Sequence, residues 1–490
     1  MSNSNQSNFG QAMWLGLGQL CTFALSFVSA AILARYFDKT EYGTYKQILY
    51  VYNTLFTLFT VGLPNVFAYF IPRMNCGQQK TLVSSLNKLF LVLGGLFSLS
   101  LFLLADVIAN ILNNPELANG IRIFSPFPLF TLPTMGVEGI YTALRKTKYL
   151  AIYQVLSRVL MLICIITPVV FFNAGYKAAI IGWGIASFLI FLMAMYMKSR
   201  PYFCVKKDIV QNFYRQVFDY CLPLVGAFVA GFFISAADQF FISHYFGTKI
   251  FAEASNGLMS IPIAVMVSGS VRSVLLPLFS KADSEGTMSE MIVTYNNAVK
   301  KCVVIVFPIL LFFFFYAKDA MSLLYGSQYE ASGKYLQVYM VRDFISCLPY
   351  FSVLMAIGAT KFYLYMHIVG VACLWTLDYV LAMCCQSAVS FVCISSAFYM
   401  ISSIAAFVFI YKRTGVNLLN NKILVNIFKV LLHCCMLLFA VRLVTNLVEN
   451  DFGIFFTTAI SAVAFYILLI LTGKVVGVDY LESLKLLRRR

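Results

Sequence analysis

The sequence predicts an all-α integral membrane protein of fourteen transmembrane helices, arranged as two parallel six-helix repeats followed by a C-terminal helix pair. Three observations carry this. Of 490 residues, 61% are hydrophobic and only 11% charged, with a mean hydropathy of +0.82; a soluble domain carries about 25% charged residues. Apolar runs of about 20 residues, the length that crosses a bilayer, follow one another along the whole chain. The first half is also echoed in the second. Ile32-Leu33-Ala34-Arg35-Tyr36-Phe37 closes the first apolar segment, and Phe241-Ile242-Ser243-His244-Tyr245-Phe246 closes another in the second half. Ala143-Leu144-Arg145-Lys146-Thr147-Lys148-Tyr149 is answered by Ala356-Ile357-Gly358-Ala359-Thr360-Lys361-Phe362, at nearly the same offset. Two echoes in the same order and at nearly one offset point to duplication. Duplicated halves imply two lobes around a central path, a transporter architecture.

In order, the expected spans are 11–35, 48–72, 82–106, 123–144, 149–172 and 178–198, then 217–245, 257–279, 292–317, 336–356, 362–385 and 389–411, with a final pair at 424–444 and 454–471. The stretch Met1 to Asn8 is polar, carries no Lys or Arg and lacks the features of a signal peptide, so the first span is expected to be retained. With the N-terminus cytoplasmic, most of the 36 Lys and Arg fall in cytoplasmic loops and the tail, as the positive-inside rule requires. The richest stretch, Lys198, Arg200, Lys206, Lys207 and Arg215, joins the repeats, and the chain ends in Arg488-Arg489-Arg490. Six spans per repeat is even, so the repeats share one orientation. The expected divisions are an N-lobe (1–200), a basic cytoplasmic linker (201–216), a C-lobe (217–413) and an appended pair with a basic tail (414–490).

Several functions are disfavoured. The net charge of +16 is spread over short loops, which speaks for membrane topology and against nucleic acid. The thirteen cysteines show no metal-ligand spacing and sit mostly in apolar runs, as in Cys384-Cys385 and Cys434-Cys435. The three histidines show no metal spacing either. No Walker A motif is present, no cofactor is implied, and no loop is long enough for a glycan polymerase or ligase domain.

The informative residues are ionisable groups within spans, because a charge in hydrocarbon costs several kcal/mol unless it faces water or a partner. Arg158 and Arg272 lie within spans. Arg272, in Ser268-Gly269-Ser270-Val271-Arg272-Ser273, sits among small polar residues, as in a cavity wall. A guanidinium there suits phosphate, which it grips with two parallel hydrogen bonds. Arg158 is a second candidate, with a structural ion pair to Glu138 as the plain alternative. Arg35 and His244 lie at helix ends near the outer mouth, where snorkelling is the plain alternative. Asp238, Asp378, Glu138 and His367 are candidates for coupling to a proton or Na⁺. His433 reads as structural. Tyr36, Tyr42, Tyr45 and Tyr50 could stack on sugar rings. Val61-Gly62-Leu63-Pro64-Asn65 is expected to interrupt span 2, and Ile261-Pro262 and Pro277 to interrupt span 8, as alternating access needs bendable helices.

The stretch Leu33-Ala34-Arg35-Tyr36-Phe37-Asp38-Lys39-Thr40-Glu41-Tyr42-Gly43 resembles the signature after the first helix of Wzx-type polysaccharide transporters, of the multidrug/oligosaccharidyl-lipid/polysaccharide superfamily. The resemblance covers about residues 10–415 and implies a MATE-like fold. It implies export of a polyprenyl-pyrophosphate-linked oligosaccharide for capsule, O-antigen or exopolysaccharide across a bacterial inner membrane, with both termini cytoplasmic and polymerase or other assembly proteins as partners. Arg272 would meet the pyrophosphate, assisted by Arg35 and Arg158. A peptidoglycan-precursor flippase is the near alternative, disfavoured because only Arg35 and Arg73 fall in the first two helices. A cation-coupled multidrug antiporter is kept open by Asp238 and Asp378.

Overall fold

The computed structural model describes residues 8–60, 63–209, 213–384, 387–447 and 449–481. The Val61-Gly62 step and the Arg488-Arg489-Arg490 tail lie outside them. Among the described residues all regular structure is helical. By its contacts the chain forms two compact units, Met1–Ala252 and Glu253–Arg490.

The first unit contains α1 (Asn8–Tyr36), α2 (Lys39–Thr60), α3 (Leu63–Phe70), α4 (Cys76–Leu103), α5 (Ala105–Ile111), α6 (Glu116–Phe124), α7 (Phe127–Thr131), α8 (Val137–Ala143), α9 (Thr147–Phe172), α10 (Tyr176–Ser199) and most of α11 (Phe213–Gly257). The Leu33–Gly43 signature is a helix-turn device. Arg35 lies in the last turn of α1, where a cation complements the helix dipole. Asp38 Oδ1 accepts from the amides of Thr40 (2.7 Å) and Glu41 (2.8 Å), capping α2. Gly43 lets α2 approach α11: a Cβ there would lie 2.2 Å from the Thr248 carbonyl oxygen. Asn75 and Gln78 form a reciprocal capping box on α4. Helix α9 packs against both α1 and α10.

The second unit contains α12 (Pro262–Glu285), α13 (Met291–Phe315), α14 (Ala317–Tyr325), α15 (Ser332–Ser346), α16 (Tyr350–Ala356), α17 (Thr360–Cys384), α18 (Val389–Thr414), α19 (Asn421–Asn446) and α20 (Glu449–Gly473). Helix α19 lies along α13 and α20. His433 joins α19 to the end of α20 and the segment that follows it, through the Thr472 (2.8 Å) and Tyr480 (3.1 Å) hydroxyls.

Ten described helices are long and apolar enough to cross a membrane, or eleven if the pair α15 and α16, bent by 46°, is one span. Three other expected spans fall elsewhere. Span 2 divides into α2 and α3. Span 4 divides at Leu132-Pro133-Thr134 and at Gly136, whose φ is +88°. Span 7 lies in α11, which turns at Gly247 (φ 76°). Proline has no N–H to give, and its ring clashes with the preceding turn. Ile261-Pro262 does not interrupt span 8; Pro262 opens α12, where a missing N–H costs little. Pro277 is accommodated inside that helix.

Helix starts recur at a near-constant spacing. The segments that begin at Cys76 and Ala105 are matched, at one common offset, by those at Met288 and Ala317. Those at Val137, Thr147 and Tyr176 are matched by Tyr350, Thr360 and Val389, at an offset barely longer.

Candidate functional site

In the first unit, three helical faces meet at one cavity. Helix α1 contributes Leu25, Ser26, Ser29 and Leu33; α2 contributes Tyr42, Tyr45, Lys46 and Leu49; α9 contributes Arg158, Met161, Leu162 and Ile165. Spacings of three and four residues put each set on one helix face. Trp183 of α10 completes the wall. The Lys46 ammonium lies 5.3 Å from the Tyr42 ring centroid, within cation–π range. Among the described residues Arg158 reaches only the Met161 sulfur, at 4.0 Å. The Trp183 indole N–H is buried beside the Tyr45 hydroxyl, its nearest acceptor among the described residues. Among the described residues lining the cavity there is no Asp or Glu.

Arg158 does not pair with Glu138, which is exposed on α8. Arg35 is exposed at the end of α1. The Nδ1 of His244 faces the Ile111 carbonyl, and its own carbonyl accepts from Asn113 Nδ2 at 2.9 Å, so it fastens α11 to the turn after α5. Asp238 is buried beside Tyr50, whose hydroxyl donates to the Ala236 carbonyl at 3.1 Å. Of the tyrosines read as sugar platforms, Tyr42, Tyr45 and Tyr50 are buried, and only Tyr36 is exposed. A buried polar chain crosses the same unit. Asn114 Nδ2 donates to Gln47 Oε1 (2.6 Å) and Thr44 Oγ1 (3.0 Å), and Gln47 Nε2 donates to Ser243 Oγ (2.7 Å).

In the second unit Arg272 is half-buried on α12. Its carbonyl accepts from Ser352 at 3.1 Å, and its guanidinium is within electrostatic reach of Tyr399 and Cys347. Among the described residues no carboxylate pairs with it. Asp378 is wholly buried on α17. His367 turns back on its own helix, with Nδ1 2.9 Å from the Tyr363 carbonyl.

Four basic residues that the sequence reading leaves out of the site lie in helices. Lys46 is inside α2, which starts at Lys39 rather than Ile48; its spacing from Tyr42 and Leu49 was the available signal. Lys198 is not a linker cation. It is fully buried at the end of α10, donating to Asn87 Oδ1 and the Pro133 carbonyl, both at 2.8 Å. Arg342 lies inside α15, reaching Ser395 and Ser396 of α18. Its neighbour Asp343 accepts from the Ile261 amide at 2.9 Å, holding the start of α12. Arg442 lies inside α19 and pairs with Asp319.

Ten or eleven described helices of membrane-crossing length, with buried polar and cationic groups among them, define a multi-pass membrane protein. The chain belongs to the polysaccharide biosynthesis protein family, whose profile matches residues 32–334. It is 25% identical over 334 residues to the succinoglycan biosynthesis transport protein ExoT of Rhizobium meliloti (strain 1021). That match covers 64% of this chain and 62% of the relative, so less than two thirds of the relative's length is matched. Its fold is similar to the lipid II flippase MurJ in an inward closed conformation (TM-score 0.71, 16% identity, 94% of this chain and 99% of that one). It is also similar to an outward-facing multidrug resistance MATE family transporter (TM-score 0.58, 13% identity, 82% and 94%).

Proposed function

We propose that the protein moves a polyprenyl-pyrophosphate-linked oligosaccharide from the inner to the outer leaflet of a bacterial inner membrane, by alternating access, for surface polysaccharide synthesis. The observation that carries this is that Arg158 and Lys46 line one cavity that has no carboxylate among its described lining residues. A cargo with a diphosphate needs cations that no internal acid neutralises, and guanidinium grips phosphate with two parallel hydrogen bonds. Arg272, likewise without a carboxylate partner among the described residues, is the candidate contact in the second unit, with Arg35 and His244 assisting. In this reading the chain is a transporter and not an enzyme. It has fourteen spans in two parallel six-helix repeats plus a pair, and both termini are cytoplasmic. The recurrence of helix starts at a near-constant offset supports the repeats.

The test is export in cells. Arg272→Ala and Arg158→Ala should each abolish surface polysaccharide while the protein still inserts in the membrane. Normal surface polysaccharide in both variants would overturn the assignment.

The buried carboxylates Asp238 and Asp378 favour a second reading, coupling to a proton or Na⁺, with Glu138 and His367 as further candidates. Asp238→Asn and Asp378→Asn should then remove the dependence of export on an ion gradient. Unchanged dependence in both would exclude these two residues as the coupling groups.

A further inference from the structure

After α10 the chain turns through Arg200-Pro201-Tyr202, and residues 203–209 run along the first turns of α4. Four backbone groups of this strap are paired. The Val205 amide donates to the Tyr202 carbonyl (3.2 Å), and the Val205 carbonyl accepts from Lys80 Nζ (2.7 Å). The Asp208 amide donates to the Gly77 carbonyl (3.3 Å), and the Asp208 carbonyl accepts from Thr81 Oγ1 (2.6 Å). Lys207 Nζ donates to Ser84 Oγ at 2.9 Å. Residues 77, 80, 81 and 84 share one face of α4. Gly77 permits the close approach, since a Cβ there would lie 2.3 Å from an Asp208 carboxylate oxygen.

The strap leaves two large apolar side chains uncovered: Phe203 is 83% exposed and Ile209 90%. Arg200 and Lys206 are exposed beside them. Residues 200–209 carry three cations and one acid, and among the described residues no acid pairs with Arg200 or Lys206. Apolar side chains fixed in water are unfavourable. Their place in the chain says what covers them. One membrane-length helix ends at Tyr202 and another begins at Cys76, so the strap lies at the depth of the lipid headgroups, a layer of about 5–7 Å on each side of the hydrocarbon. Irregular backbone tolerates that depth only when its polar groups are satisfied, as those of Val205 and Asp208 are. Aromatic and aliphatic side chains set among cations suit an interface of anionic lipid.

We propose that residues 203–209 are a membrane-surface anchor: Phe203 and Ile209 sit in the headgroup layer, and Arg200 and Lys206 bind the phosphates of anionic phospholipid beside them. The anchor needs only the membrane-spanning helices and is independent of the cargo and of the direction of transport.

The test uses the full-length protein in lipid nanodiscs of phosphatidylcholine, with or without phosphatidylglycerol. The three native tryptophans, Trp14, Trp183 and Trp375, are replaced by phenylalanine. A single reporter is then placed by Phe203→Trp or, separately, by Ile209→Trp. Both reporters should emit at the short wavelengths of a membrane interface and resist quenching by acrylamide in the water. At equal mole fraction, phosphatidylglycerol brominated near the top of its chains should quench them more than phosphatidylcholine brominated at the same place. Arg200→Gln with Lys206→Gln should lower that preference by about fivefold or more, the scale of a basic residue at an anionic surface. If the tryptophan-free protein does not fold, wild-type protein is cross-linked to phosphatidylglycerol bearing a photoreactive headgroup. Mass spectrometry should then find label in 203–209, and less of it in the glutamine pair. Water-like emission with full acrylamide access at both positions, or no label in the segment, would overturn the anchor and leave this surface to a soluble partner. Equal quenching by the two brominated lipids, or label unchanged in the glutamine pair, would overturn the recognition of anionic lipid.

Discussion

Replacing Gln47 with leucine tests the packing of α2 against α11. Gln47 is fully buried, as is Ser243, and Asn114 is nearly so. The substitution keeps the side-chain volume and removes two hydrogen bonds, to Ser243 Oγ at 2.7 Å and from Asn114 Nδ2 at 2.6 Å. Each is worth about 1 kcal/mol net, and a buried polar group left without its partner costs about 1–3 kcal/mol more. Asn114 keeps its bond to Thr44, so Ser243 bears most of the second term. The expected loss is roughly 3 kcal/mol, read as a fall of a few degrees in thermal unfolding in detergent. Ser243→Ala removes the orphan, so Gln47→Leu combined with Ser243→Ala should cost less than the sum of the single changes, by about 1 kcal/mol or more. Additive effects, or a Gln47→Leu protein as stable as wild type, would refute the chain of bonds described.

Other outcomes follow from the same geometry. Gly43→Val should lower thermal stability by about 2 kcal/mol or more, because its side chain would meet the Thr248 carbonyl 2.2 Å away; a protein that melts with the wild type would mean that α2 does not approach α11 so closely. Asp319→Asn should destabilise the second unit by about 1–3 kcal/mol through the charge it leaves on Arg442, and Asp319→Leu with Arg442→Met should recover most of that in the same melting assay. An amine-reactive probe on the folded protein should label the exposed Lys206 and spare Lys198; equal labelling by mass spectrometry would show that Lys198 is not buried.

Much of the fold was legible because hydropathy over a bilayer's width of helix is a strong signal. The breaks at Pro133 and Gly136 were harder to place, since proline and glycine are common in membrane helices and whether one bends a helix is decided by its neighbours. Pro277 shows this: it lies inside α12 without ending it. The Leu33–Gly43 signature was visible, but its work is local: Asp38 caps α2 and Gly43 clears the Thr248 carbonyl. The site was half legible. A charge well inside a helix, such as Arg158, stands out against apolar neighbours. Lys46 and Lys198 lie close to an expected loop, where a basic side chain is normal, and only packing shows that one lines a cavity and the other fills a core.

The most direct test of the account is a flipping assay in proteoliposomes. It uses a fluorescent polyprenyl-pyrophosphate-linked oligosaccharide whose exposure on each leaflet is read by an impermeant quencher. Wild-type protein should move the lipid between leaflets, and Arg158→Ala and Arg272→Ala should slow it by about tenfold or more, the loss of a charge-assisted contact. Flipping at the wild-type rate by both variants, or none by the wild-type protein, would contradict it.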